Sequence, residues 1–268
     1  MNGILDLAPP PADKRIPYGP GPFQFGDLRL PRGPGPHPLV LAIHGGFWRA
    51  RHDLTHLGHL CAAVTQLGYA TFSVEYRRVG NPGGGFPGTL ADVGLAADSL
   101  PAVAKEHALH LDRVIALGHS AGGQLALWLA GRHHVPAGSP LRQEHPFRLG
   151  GVVCLAGVTD LAQAQRLKLG KGIITEFMGG SPEEVPSHYA AASPLQLLPL
   201  GVPQRLIHGS EDDTVPLALS QDYAKKAHGW GDAATLRVLP GMGHFEPVDP
   251  RSGAWPAVRD ALFDIRTP

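Results

Sequence analysis

Three short stretches of the chain carry residues that could perform acyl transfer together. Gly118-His119-Ser120-Ala121-Gly122 frames a serine between two glycines. His208-Gly209-Ser210-Glu211-Asp212-Asp213-Thr214-Val215-Pro216 offers three acidic residues in one loop. Gly241-Met242-Gly243-His244-Phe245 offers a histidine in a glycine-bearing loop. A serine hydroxyl is a weak nucleophile until a base takes its proton. The base, a histidine, needs a carboxylate to fix its tautomer and stabilise its imidazolium. Ser120 is therefore the expected nucleophile, His244 the base, and Asp212 the acid. Asp213 ranks second for the acid and Glu211 a distant third; the two not used are solvated loop charges or helix caps.

G-x-S-x-G alone is weak evidence in a chain with 35 glycines. Its setting strengthens it. The motif follows the apolar run RVIALG and opens the alanine- and leucine-rich run AGGQLALWLAG. A strand that turns sharply into a helix on a serine is the nucleophile elbow, and the flanking glycines let neighbouring backbone approach. The Ala121 amide, at the helix start, would face a developing oxyanion. A second donor is expected from His44-Gly45-Gly46-Phe47-Trp48, with the Gly46 or Phe47 amide turned to the site. His44 reads as the residue that orders this loop. Trp48 and Phe47 either line an acyl or aryl pocket or anchor this loop in the core; His119 packs beside the site, and it and Trp48 are the candidate substrate contacts.

These loops need strands to hold them. Apolar runs of strand length recur at PLVLAI (38–43), YATFSVE (69–75), RVIALG (113–118), GVVCLA (151–156), QRLIHG (204–209) and TLRVLP (235–240). Helical patterns lie between them: 53–67, 89 to about 107 with a break near Pro101, 124–130, 217–228 and 255–263. Thr89 followed by Asp92 resembles a capping box. Strands alternating with helices predict a mostly parallel sheet covered on both faces. The expected organisation is one α/β domain. Residues 1–37 form a Pro/Gly-rich arm over the surface, with a short hairpin around PFQFGDLRLP, and residues 160–203 form a small lid or pocket wall.

Lys+Arg and Asp+Glu both number 23 in 268 residues, which argues against nucleic acid or an anionic membrane as the main partner. Cys61 and Cys154 lie in apolar runs and read as buried, reduced core residues, too few for a disulfide framework. No apolar run is long enough to span a membrane. The first residues lack the basic start of a signal peptide, so a cytoplasmic location is expected. Fifteen histidines invite a metal. His52, His56 and His59 could share a helical face, but no carboxylate or cysteine joins them, and they read as an exposed polar stripe.

The serine, acid and histidine follow the chain order of the α/β-hydrolase superfamily, which the sequence resembles over residues 38–263. HGGFW, GHSAGG and HGSEDDTVP look more narrowly like its esterase and kynurenine-formamidase-like branch. The family's acid falls at the fifth position of H-G-x-x-D, here Asp212. Hormone-sensitive-lipase-like esterases carry HGGG instead, so Phe47 is a departure from them. The resemblance implies an α/β-hydrolase fold without a large cap domain, and a carboxylesterase for small to medium esters through an acyl-enzyme. The alternative it implies is an arylformamidase cleaving N-formylkynurenine. A peptidase or a small-molecule receptor on the same fold stands further off. No metal or organic cofactor is expected. The expected partner is a small-molecule ester or formamide, and a homodimer is possible.

Overall fold

A computed structural model describes residues 3–266 of the chain; Met1 and Asn2 of the expected arm lie outside them. In chain order the elements are β1 (Lys14–Pro17), β2 (Phe25–Arg29), β3 (His37–Ile43), α1 (Gly58–Gln66), β4 (Ala70–Val74), α2 (Gly88–Asp98), α3 (Leu100–His107) and β5 (Leu109–His119). There follow α4 (Ala121–Gly131), β6 (Gly151–Leu155), α5 (Leu161–Arg166), α6 (Ile173–Met178), α7 (Pro186–Ala192), β7 (Gln204–Gly209), α8 (Leu217–Gly229), β8 (Ala234–Leu239) and α9 (Trp255–Arg266). The strands form one sheet in the order β1-β2-β4-β3-β5-β6-β7-β8. β1 and β2 run antiparallel, as do β2 and β4; the remaining pairs are parallel. This is the α/β-hydrolase fold, and among the described residues no large cap domain sits on it.

The central strands are apolar at nearly every position because helices cover both faces. Leu39, Leu41 and Ile43 of β3 pack into one core, with Ala116, Val152, Cys154 and Leu206. Val40 and Ala42 pack into the other, with Ile115, Leu117, Val153, Leu155 and Ile207. Strand alternation sends neighbours to opposite faces, so both sets must be apolar. Leu125 and Leu129 of α4 face the first core; Val64 of α1 and Leu262 of α9 face the second. Cys61 and Cys154 are buried and unpaired.

Register decides where the motifs arrive. Gly118 of β5 aligns with Ile43 of β3 and with Cys154 of β6, and Gly209 of β7 aligns with Leu239 of β8. The segments after β3, β5, β7 and β8 therefore emerge at one edge. The chain leaves β3 for β4 on one side and returns to β5 on the other. Such a reversal opens a crevice at the carboxyl ends of the strands.

Three expectations are corrected. The arm is not laid over the surface throughout, because β2 is an inner strand of the sheet, with Leu28 fully buried. The hairpin spans 14–29 rather than centring on PFQFGDLRLP, because Phe25–Arg29 is itself a strand paired to Lys14–Pro17. Thr89 and Asp92 form no capping box. Asp92 is buried and accepts from Arg77 through its backbone N–H, Nε and Nη2, and from Gln24 Nε2. It ties the segment after β4 to the turn before β2. Asp92→Ala strands that buried backbone donor and should lower unfolding stability by about 2–4 kcal/mol in urea titration.

Candidate active site

Ser120 is the single residue between β5 and α4, with φ 56° and ψ −119°. A non-glycine residue holds that backbone only under constraint from its surroundings. The constraint is close backbone packing. A Cβ on Gly118 would stand 2.0 Å from the Gly122 carbonyl oxygen, and one on Gly122 would stand 2.0 Å from that of Ile43. The Ser120 amide donates to the Leu155 carbonyl at 2.8 Å. The hydroxyl is thereby held at the start of α4, where the helix dipole favours negative charge.

The loop after β3 turns through three consecutive positive φ values: Gly46 (108°), Phe47 (50°) and Trp48 (52°). His44 holds its base. Its Nε2 lies 3.0 Å from Glu75 Oε1, its Nδ1 2.8 Å from the Gly45 carbonyl, and its ring stacks on Tyr76. Glu75 also accepts from the Leu54 amide, so one buried carboxylate joins the loop to the next turn. Among the described residues, the amides of Gly46, Phe47 and Ala121 donate no hydrogen bond.

Asp212 and His244 meet across the ends of β7 and β8. Asp212 Oδ2 lies 2.7 Å from His244 Nδ1 and 3.1 Å from His208 Nε2. Its Oδ1 accepts from the amides of Thr214 (2.9 Å) and Val215 (2.8 Å). Burial pushes the Asp212 carboxyl up. The bonds from His208 and His244, the His244 charge and the Val215 amide outweigh it and hold the carboxyl well below the usual carboxylate range. Asp213 and Glu211 are exposed and make no bond to His244. A Cβ on Gly209 would stand 2.1 Å from the Met242 carbonyl oxygen, so this glycine lets the histidine loop close onto the acid loop.

Ser120, His244, His119, Gly46 and Phe47 line one cavity of about 250 Å³, together with Leu5, Arg51, His52, His56, Thr214 and Phe245. A larger surface cavity of about 550 Å³, between Leu30–Arg32 and Thr65–Gly68, holds none of the motif residues. Trp48 does not line the Ser120 cavity. It is fully buried, stacks on Phe177 at 4.4 Å and donates its indole N–H to Gln124 Oε1. This corrects its reading as a substrate contact, since the positive φ at Trp48 turns the side chain into the core. Phe177 and Met178 are likewise fully buried.

His119 touches the cavity, but both its ring nitrogens are engaged. Nε2 lies 2.9 Å from the His244 carbonyl and Nδ1 2.7 Å from His56 Nε2. A carbonyl only accepts, so Nε2 carries the proton and Nδ1 accepts from His56 Nε2–H. Both imidazoles are held neutral. Burial and the facing histidines lower His56 to about 3 and place His119 well below its ordinary value. The reading of His52, His56 and His59 as an exposed stripe is corrected for the first two, which line the cavity. Helical spacing could not show this, because 54–57 is a 3-10 turn whose faces differ from those of an α-helix. Among the described residues, no group of three or more His, Cys, Asp or Glu is placed to hold a metal ion. No helix among them is long and apolar enough to cross a membrane.

The parallel sheet, the strained serine and the buried Asp–His pair define the α/β-hydrolase class. Within it, the family model BD-FAE matches residues 27–227, well over half of the chain, and the chain belongs to that family. The matched span includes Ser120 and Asp212; His244 lies beyond it. No curated protein matches the sequence. Solved structures match closely in fold. A truncated carbohydrate esterase from gut microbiota superposes with a TM-score of 0.81 at 18% identity, covering 96% of this chain and 99% of that one. A thermophilic esterase from Thermogutta terrifontis gives 0.76 at 20% identity, covering 96% and 92%. An acetyl ester-xyloside bifunctional hydrolase from Caldicellulosiruptor lactoaceticus gives 0.74 at 21% identity, covering 96% and 95%. None of these three is named as a formamidase, so the narrower likeness of HGGFW to kynurenine formamidases gains nothing from them.

Two outcomes are expected. Trp48→Phe keeps the stack on Phe177 but leaves Gln124 Oε1 without its donor, and should lower stability by about 1–2 kcal/mol in thermal unfolding. Acid should weaken the fold early. As pH falls below about 6.5, the unfolded chain takes up protons that neutral His56 and His119 refuse, so stability declines as pH falls toward about 3. Asp212 adds its own loss only below about pH 4, where its unfolded carboxyl protonates. Urea midpoints between pH 7 and 4.5 isolate the histidine part, and His56→Gln should flatten that slope.

Proposed function

We propose that the chain is a serine carboxylesterase cleaving small to medium esters, with Ser120 as nucleophile, His244 as base and Asp212 as acid. The observation that carries this reading is the Asp212–His244 bond in the same cavity as Ser120 on its strained elbow. The Asp212 carboxylate accepts His244 Nδ1–H, which leaves Nε2 free to take the Ser120 proton. Ser120 Oγ attacks the ester carbon, and the amides of Ala121 and of Gly46 or Phe47 receive the oxyanion. The carbon–oxygen bond to the alcohol breaks as His244 returns the proton to the leaving oxygen. Water then repeats the sequence on the acyl-enzyme.

The names of the structural neighbours, which include carbohydrate and acetyl esterases, favour an ester over a formamide. In this reading residues 160–203 form a wall rather than a mobile lid. Arg49 Nη2 donates to the Gly170 carbonyl, and the Trp48–Phe177 stack fixes α6 against the oxyanion loop.

The test is hydrolysis of p-nitrophenyl esters from acetate to decanoate, with N-formylkynurenine alongside. Wild type should turn over the short esters and leave the formamide nearly untouched, and Ser120→Ala should abolish turnover. Activity surviving in Ser120→Ala would overturn the assignment. Asp212→Asn presents His244 Nδ1 with a donor, reverses the tautomer and should lower kcat by about 10⁴. If Asp213→Asn gave the larger loss, the acid would be misassigned.

A further inference from the structure

The backbone of His244 lacks a local partner for its carbonyl. The residues after it, Glu246–Val248, form a 3-10 turn. In such a turn the 244 carbonyl would accept from the amide of residue 247. Residue 247 is a proline and has no amide hydrogen to give. The next amide, of Val248, goes to the Phe245 carbonyl at 3.1 Å. Among the described residues, the partner that the His244 carbonyl does find is the ring of His119, whose Nε2 lies 2.9 Å away.

That ring has a central place. His119 is fully buried and ends β5, directly before Ser120. Its bond to His244 therefore spans the gap between the nucleophile's strand and the base's loop. The loop after β3 meets the same ring. A Cβ on Gly45 would stand 3.2 Å from His119 Nδ1 and 3.1 Å from Ser120 Cβ. One imidazole thus touches the segments that carry the serine, the histidine and the candidate oxyanion amides.

Only one tautomer of His119 can serve. With its proton on Nδ1, Nε2 would turn a lone pair to the His244 carbonyl and the bond would be lost. His56 sets this tautomer, because its Nε2 lies 2.7 Å from His119 Nδ1 and gives it a hydrogen. The bonds then run one way, from His56 to His119 to the His244 carbonyl. His56 stands on a firm base. Asp53 caps its turn through the Thr55 amide at 2.9 Å. The Leu54 amide donates to Glu75 Oε2 at 3.2 Å, and the same carboxylate holds His44. Burial keeps His119 neutral, so no second proton sets donor against donor at Nδ1.

We propose that His56 and His119 form a two-ring strut that fixes the His244 backbone against Ser120, with His56 a positioning residue acting through the tautomer of His119. The proposal rests on the esterase reading of Ser120. The strut exchanges no proton with the substrate. It acts on the rate by where it leaves His244 Nε2, and a misplacement of about 1 Å there is enough to cost about a hundredfold.

The test follows p-nitrophenyl acetate hydrolysis by the full chain carrying His56→Leu, which removes the donor, or His56→Gln, which puts an amide N–H near the place of Nε2. In His56→Leu, kcat should fall about tenfold to a hundredfold while KM stays within about twofold. His56→Gln should recover most of that loss. Equal losses in the two variants, a loss carried by KM, or a folded His56→Leu with the kcat of wild type would overturn the strut and leave the esterase reading in place. If His56→Leu melts below the assay temperature, the imidazole nitrogen resonances of isotope-labelled wild type decide, with His119 identified by its loss in His119→Asn. A proton on His119 Nε2 supports the strut, and one on Nδ1 overturns it. Wild type that turns over no ester and whose Ser120 stays unlabelled by a fluorophosphonate would overturn both readings.

Discussion

The backbone of Ser120 is the constraint on which the site depends. At φ 56° it costs of order 1–3 kcal/mol, and it persists only where neighbours over-determine it. Gly118 and Gly122 supply the close approach, β3 and β6 supply the flanking strands, and Leu155 accepts the Ser120 amide. Relaxing that turn would swing the hydroxyl off the sheet edge. The strain is therefore held at the centre of a sheet buried on both faces.

Around this fixed point the other groups arrive by loops that are tied rather than merely short. Glu75 anchors His44 and the Leu54 amide. Asp212 gathers two histidines and two amides. His119 holds the backbone of His244 through a neutral ring whose tautomer is set by the carbonyl it meets. Each tie uses a polar group almost removed from water, where an unmade bond is costly and geometry is correspondingly specific.

Much of this could be read from the sequence because its causes are local. A buried parallel strand must be apolar throughout, so β3 to β7 announced themselves, and the edge strand β8 still showed a strand-length apolar run. The elbow and the H-G-x-x-D loop also carry their glycines and acids at fixed spacing. What could not be read depends on contacts between distant segments. Trp48 could be read equally as pocket or core until a positive φ turned it toward Phe177. Thr89 and Asp92 fit a local capping pattern, but Asp92 serves Arg77 and Gln24. Phe25–Arg29 looked like half of a surface hairpin because its pairing with β4 lies some forty residues away. His52 and His56 had helical spacing, but the chain tightens into a 3-10 turn at 54–57 and both line the Ser120 cavity.

The docking of the arm makes the two ends of the chain unequal. Leu5 lines the Ser120 cavity at the carboxyl edge of the sheet, and its neighbour Ile4 is buried in the second core. Ile265 packs against Gly151 at the start of β6, on the opposite edge. A polypeptide or solid support joined ahead of Ile4 would stand beside the cavity that holds Ser120. One joined after α9 would stand at the opposite edge of the sheet, away from that cavity.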